Sequence, residues 1–127
     1  GAGAMLNDVR LAMSDAYTLQ GASVIGNRKS LDRLAGSGIV AVARSSVPLQ
    51  LRLALVAAGR FDATVSIGNK HDWDLAAGDL LIHEAGGLAG TPDGSAFCYN
   101  RAEPWQPGMI AAGTLRHSAL VNALRTR

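Results

Sequence analysis

Asn69-Lys70-His71-Asp72-Trp73-Asp74-Leu75-Ala76-Ala77-Gly78, running on to Glu84-Ala85-Gly86-Gly87, is the stretch on which the reading of this chain turns. Upstream of it, Phe61 to Ile67 alternates with the two-residue period of a strand. Downstream, Leu75, Leu81, Ile82 and Ala85 share one broad face of a helix over 74–85, and Gly86-Gly87 ends it. A strand, a polar turn and a helix start therefore follow in order, and α/β sheets bind ligands at such points. The free N–H groups and partial positive charge of a helix N-terminus suit an anion. An Asp there can cap the helix or aim an oxygen at a divalent cation. Mg²⁺ takes few protein carboxylates and completes its shell with water and phosphate. Capping is the commoner use of such an Asp, and the residues alone leave both roles open for Asp74. Ala76, Ala77 and Gly78 keep the first turn slim, so a backbone or a ligand can approach closely. His71 beside Asp72 reads either as a metal pair or as a hydrogen-bonded turn residue. No spaced Cys and His suggest zinc.

Working outward, Val9 to Met13, bounded by Asn7-Asp8 and Ser14-Asp15, reads as a strand, and so does Ser23 to Gly26. Ser30 is placed as the N-cap of a short helix over 31–35 that Gly36 ends. Ile39 to Ala43 is a continuous apolar run, expected to be a strand covered on both faces. Pro48 suits the first turn of the next helix. Leu49, Leu51, Leu53, Leu55 and Val56 make that helix apolar nearly all round, with Arg52 as the exception, and Gly59 closes it. Leu88-Ala89 starts a short extended piece, residues 91–108 read as a loop, and Met109 to Ala112 as a buried strand. A closing helix runs from Leu115 to Arg127 with Leu115, Ala119, Leu120, Ala123 and Leu124 inward. Alternating strands and helices predict an α/β layered sandwich, a mixed sheet with helices on both faces.

The chain has 127 residues, 48% hydrophobic and 17% charged, with a net charge of +2. That apolar content fills a core and argues against disorder. Scattered arginines without interleaved aromatics give no footprint for a nucleic-acid polymer. No apolar run reaches the ~18 residues of a membrane span. Cys98 is the one cysteine, so no internal disulfide can form, and a cytoplasmic setting is expected.

Trp73-Asp74-Leu75-Ala76-Ala77-Gly78 with Glu84-Ala85-Gly86-Gly87 strongly resembles the second signature of the inositol monophosphatase family, the Mg²⁺-dependent, lithium-sensitive phosphatases. Leu55 to Ala63 resembles the family's preceding helix-to-strand segment. Ala111-Ala112-Gly113 resembles its C-terminus, and Gly1-Ala2-Gly3-Ala4 with Asn7 a glycine-rich hairpin of its mid-chain. Asn69 to Asp74 looks most like bacterial members near the bisphosphate nucleotidase branch. The resemblance implies a C-terminal half: the D-P-x-D-G-[ST] signature of the family's first half has no match here. Residues 1–20 would then be a hairpin remnant of a preceding domain and residues 21–127 the α/β phosphatase subdomain. The absence of an initiator Met before Gly1 accords with a cut through a longer protein.

The resemblance further implies hydrolysis of a small phosphate monoester by metal-activated water, with Asp74 as the one family Mg²⁺ ligand in this chain. Trp73 would pack and fix the turn. Asn69, Lys70, His71 and Arg28, with Lys29 nearby, would line the leaving-group side, where a Lys or Arg could hold a second phosphate. Ile67 stands where inositol-specific members carry Glu, which weighs against inositol, and Pro48 replaces a small residue. With most metal ligands elsewhere, the fragment alone is expected to be inactive and to associate with the missing half or as a homodimer. Two other classes stand beside this one: a non-catalytic interaction module pairing with a separate half or with itself, and a nucleotide-binding domain without catalysis.

Overall fold

The computed structural model describes residues 1–13, 16, 18–44 and 46–125. Twelve elements follow one another. A hairpin of β1 (Met5–Leu6) and β2 (Val9–Arg10) comes first, turned by Asn7 and Asp8 at φ 50° and 65°, the left-handed pair that a tight two-residue hairpin turn requires. Then come β3 (Ser23–Gly26), α1 (Arg28–Asp32), β4 (Val40–Ala43), α2 (Leu49–Ala57) and β5 (Ala63–His71). A 3-10 turn (Asp72–Asp74) leads into α3 (Ala76–Glu84), β6 (Gly87–Gly90), β7 (Trp105–Gly113) and α4 (Thr114–Arg125).

The main sheet has five strands in the order β4-β3-β5-β7-β6. β3 runs parallel to both β4 and β5, while β7 is antiparallel to β5 and to β6. Alternate residues of each strand face opposite ways, and the two cores follow that parity. Ile25, Met109 and Ala111 pack on one face with Leu53, Val56 and Ala57 of α2 and Ile82 of α3. Val24, Val65, Ile110 and Ala112 pack on the other face with Leu31 of α1 and Leu120, Val121 and Leu124 of α4. Each Val, Leu, Ile or Met among them contributes about 1.5–3 kcal/mol on full burial. The expected mixed sheet with helices on both faces is what the chain forms.

Several local readings are corrected. The cap of α1 is Asn27, whose side chain accepts from the Ser30 N–H, so Ser30 lies inside the helix. The buried Ser30 hydroxyl is used elsewhere. Its Oγ accepts the Ile67 N–H at 2.9 Å and ties α1 to β5. The Ile39–Ala43 run is an edge strand with Val40 53% exposed, not one covered on both faces; continuous apolar character does not say how many neighbours a strand has. On α2, Arg52 is buried and Leu51 exposed, the reverse of the expected pattern. Leu115 faces solvent, and the last four residues of the expected 91–108 loop already belong to β7. β5 also runs on to His71, past the bulge between Ile67 and Lys70, so the polar segment is strand end rather than turn. The Ser14-Asp15 boundary and the Arg127 end of the closing helix lie outside the described residues.

Three parallel strands thus release α1, α2 and α3 at one edge of the sheet. Their N-termini face the crevice beyond the strand ends, where a ligand of an open α/β sheet sits.

Candidate functional site

β5 is long because its far end pairs again with β7: Lys70 opposite Gln106 and His71 opposite Trp105. Gly68, at φ 110°, supplies the left-handed backbone at the bulge between the two paired stretches. The strand delivers Asp74 on a 3-10 turn anchored from β7 and the preceding loop. The Asp72 N–H donates to the Pro104 carbonyl at 3.0 Å. Gln106, 3% exposed, donates through Nε2 to Asp72 Oδ1 at 3.0 Å and to the Cys98 carbonyl at 2.9 Å. His71 lies between two indoles, 3.9 Å from the Trp73 ring centre and 3.6 Å from that of Trp105.

Asp74 is not the cap of α3. Leu75 holds that position, and no side chain of the turn caps the helix. Among the described residues the Asp74 carboxylate accepts no hydrogen bond, which leaves both oxygens free for a ligand. The helix amide at Gly78 is satisfied from α2 instead, by Gln50 Oε1 at 2.9 Å.

The charges around Asp74 come from two elements. Lys70 on β5 is half-buried; burial and then Arg52 push its ammonium below the ordinary lysine value, and Asp74 opposes them. Arg52 on α2 is buried, and burial lowers its pKa too. Its Nε and Nη1 find no partner among the described residues. The charges of Arg52 on α2 and of Asp74 on the 3-10 turn therefore both act on Lys70 near the end of β5. A step further along α3, Asp79 accepts the Tyr99 hydroxyl at 2.7 Å. Burial and that carboxylate hold the phenol protonated well above its usual range.

The candidates read from the sequence thus divide. Lys70 stands with Asp74, and His71 stacks on Trp73, which remains 66% exposed. Asn69 and Arg28 are exposed and make no hydrogen bond or ion pair with Asp74 among the described residues. Arg28 lines a separate cleft with Ile39 and Ala41 between α1 and β4. Asp72 was already paired with His71 in the sequence, whereas Gln50, Arg52, Gln106 and Trp105 join the site without having stood out as site residues there. Only Arg52 carries a signal there, as the lone charge on an apolar helix; the others arrive through pairings distant in sequence.

The comparisons with known proteins agree with one another. A family profile described as "Inositol monophosphatase family" matches residues 1–126. The chain is 39% identical to Nus factor SuhB of Pseudomonas aeruginosa, over 91% of this chain and 45% of that protein. It is 39% identical to inositol-1-monophosphatase of Rhizobium meliloti, over 89% of this chain and 44% of that one. The crystal structure of extragenic suppressor protein suhB from Bartonella henselae superposes with a TM-score of 0.80 at 28% identity, covering 98% of this chain and 51% of that one. The chain spans about half the length of the curated relatives it matches. With its sheet order, Asp74 on the turn that follows β5 and a profile match over residues 1–126, the chain belongs to the inositol monophosphatase family.

Proposed function

We propose that this chain is the C-terminal part of a Mg²⁺-dependent phosphatase that hydrolyses a small phosphate monoester. The observation that carries this reading is the free carboxylate of Asp74 at the strand end. A hard oxygen donor with no bond of its own, beside a second carboxylate at Asp72, fits Mg²⁺. Mg²⁺ held there supplies charge stabilisation for a leaving oxygen and acidifies a bound water. Among the described residues no cluster of three His, Cys, Asp or Glu side chains could hold a metal. The other ligands then come from substrate, water and protein outside these residues, and the 127-residue chain alone is inactive.

The residues of this chain divide the work. Asp74 fixes the position of the ion. Lys70 and the exposed first turn of α3 offer positive charge to the phosphate. The buried, unpartnered Arg52 beside Lys70 supports a substrate with a second anionic group, since both cations are desolvated and lack a full set of acceptors. Ile67 stands where inositol-specific members carry Glu, which weighs against inositol, so a nucleotide or sugar phosphate is the favoured substrate class. The single cysteine, Cys98, supports a reducing compartment, the cytoplasm, as the protein's place of action. Phosphate release from a panel of monoesters, with Mg²⁺ and then with EDTA, tests the reading. Hydrolysis is expected only with Mg²⁺ and only by the protein that carries both halves. Turnover in EDTA, or turnover by the 127-residue chain alone, would contradict it.

A second reading has an observation in its favour. Met5 and Leu6 of the hairpin and Leu51 of α2 are exposed and line a groove of about 310 Å³ together with Leu11, Leu55 and Leu81. An interaction module that pairs with a separate half or with a second copy would cover such a surface, and the Pseudomonas relative carries the name of a Nus factor. Sedimentation of wild type against a Leu6→Lys, Leu51→Lys variant separates the readings. Dissociation with phosphatase activity intact would assign the groove to assembly alone.

A further inference from the structure

The start of α3 is built in an unusual way. A helix leaves its first four N–H groups without partners, and the nearest side chain normally turns back to accept one of them. Here the cap position falls on Leu75, which offers no acceptor, and Asp74 just before it caps nothing. The acceptor comes from another helix: Gln50 Oε1 of α2 takes the Gly78 N–H at 2.9 Å. The same amide group then donates through Nε2 to the Trp73 carbonyl at 3.3 Å. One side chain therefore grips the chain on both sides of Asp74, before it at Trp73 and after it at Gly78. Gly78 makes room for this grip, because a Cβ at that position would stand 2.7 Å from Gln50 Oε1.

We propose that Gln50 is a positioning residue: by taking over the capping of α3 and clamping the turn at Trp73, it keeps the Asp74 carboxylate free and aimed for a divalent cation. The inference rests on the reading of Asp74 as the Mg²⁺ ligand. Without Gln50 the Gly78 amide would be left without its acceptor, and Asp74 is the carboxylate that the sequence places just before this helix start. The carboxylate would then serve as a cap or as a ligand, not as both. Groups that orient a metal ligand from behind typically change metal affinity by about 10–100-fold when removed.

The test uses the full protein that carries this chain, with Mn²⁺ as the probe. Binding is read by quenching of tryptophan fluorescence, Trp73 being adjacent to Asp74, and the melting temperature is taken separately in EDTA. Gln50→Met keeps the length of the side chain and removes both hydrogen bonds. It is expected to raise the Mn²⁺ dissociation constant by about tenfold or more. Asp74→Asn, run beside it, is expected to lose the Asp74-dependent binding step outright. If Asp74→Asn loses that step while Gln50→Met binds Mn²⁺ as tightly as wild type, the inference fails and the metal reading stands, even if the Gln50→Met melting temperature falls. If Asp74→Asn binds as wild type, the metal reading fails first and takes the inference with it. Gln50→Glu keeps the acceptor for the Gly78 N–H and serves should Gln50→Met not fold. It loses the donor to the Trp73 carbonyl but keeps the cap, so its dissociation constant is expected to rise by less than about tenfold, and a rise of about tenfold or more would overturn the claim that capping by Gln50 is what frees Asp74.

Discussion

Gly78→Ala is the perturbation whose outcome follows most directly from the packing. In an exposed helix interior, Ala is favoured over Gly by about 1 kcal/mol, so the naive expectation is a gain. Gly78 is buried against α2, and a Cβ there would collide with Leu53 Cδ1 and lie 2.7 Å from Leu53 Cβ. The Leu53 methyl can rotate, but its Cβ moves only if α2 moves. Leu53 is fully buried, so no solvent-side space accepts it. Overpacking of this kind costs about 1–3 kcal/mol. Pushing Gln50 off the Gly78 N–H leaves a buried donor unpaired, at about 1–3 kcal/mol more. The costs exceed the propensity gain by roughly 3 kcal/mol at the midpoint of those ranges. Equilibrium urea unfolding of the protein that carries this chain reads the difference as a lowered midpoint at unchanged slope. A variant stabilised by about 1 kcal/mol, as at an exposed site, would refute the close approach of α2 to α3.

Arg52→Met is expected to raise stability, by about 1–3 kcal/mol, because it removes a buried guanidinium with two unpartnered nitrogens. The same variant should raise KM most for substrates with a second anionic group; melting curves and KM across the monoester panel check both, and equal stability with unchanged KM would deny Arg52 either role. His117 gives a pH signature. Burial, with His83 adding to it, lowers its pKa, so the fold disfavours the charged ring. The unfolded chain takes up this proton below about pH 6.5 while the native state resists it. The stability linked to His117 is therefore present above that pH and lost as the pH falls below it. His117→Leu is expected to flatten the difference between urea midpoints at pH 8 and pH 5, and an unchanged difference would assign the acid sensitivity elsewhere.

The sheet and its covering helices were legible because each strand and helix carries its own period, and the W-D-x-A-A-G run of 73–78 marks the strand-to-helix junction. What the sequence concealed was pairing. Whether Ile39–Ala43 is central or an edge depends on a neighbour that no local pattern encodes. Asn69 to His71 read as turn because they are polar, and became strand because Gln106 and Trp105 lie opposite. The slim first turn of α3 was legible as an invitation to close approach, and Gly78 does receive α2. That the guest is Gln50, and that Asp74 is thereby released from capping, follows only from the crossing of two helices. Among the proposed site residues, Lys70 near the end of β5 feels the charge of Asp74 on the turn that follows, whereas Arg28 lines another cleft with Ile39 and Ala41.

The central claim is that Asp74 holds a catalytic divalent cation. Turnover of a phosphate monoester by the full protein, wild type against Asp74→Asn, measured across a Mg²⁺ titration, tests it most directly. Loss of one carboxylate from the metal forfeits several kcal/mol of charge stabilisation, so turnover at saturating Mg²⁺ is expected to fall on the order of a thousandfold. A variant that reaches near-wild-type turnover once Mg²⁺ is saturating would contradict the assignment.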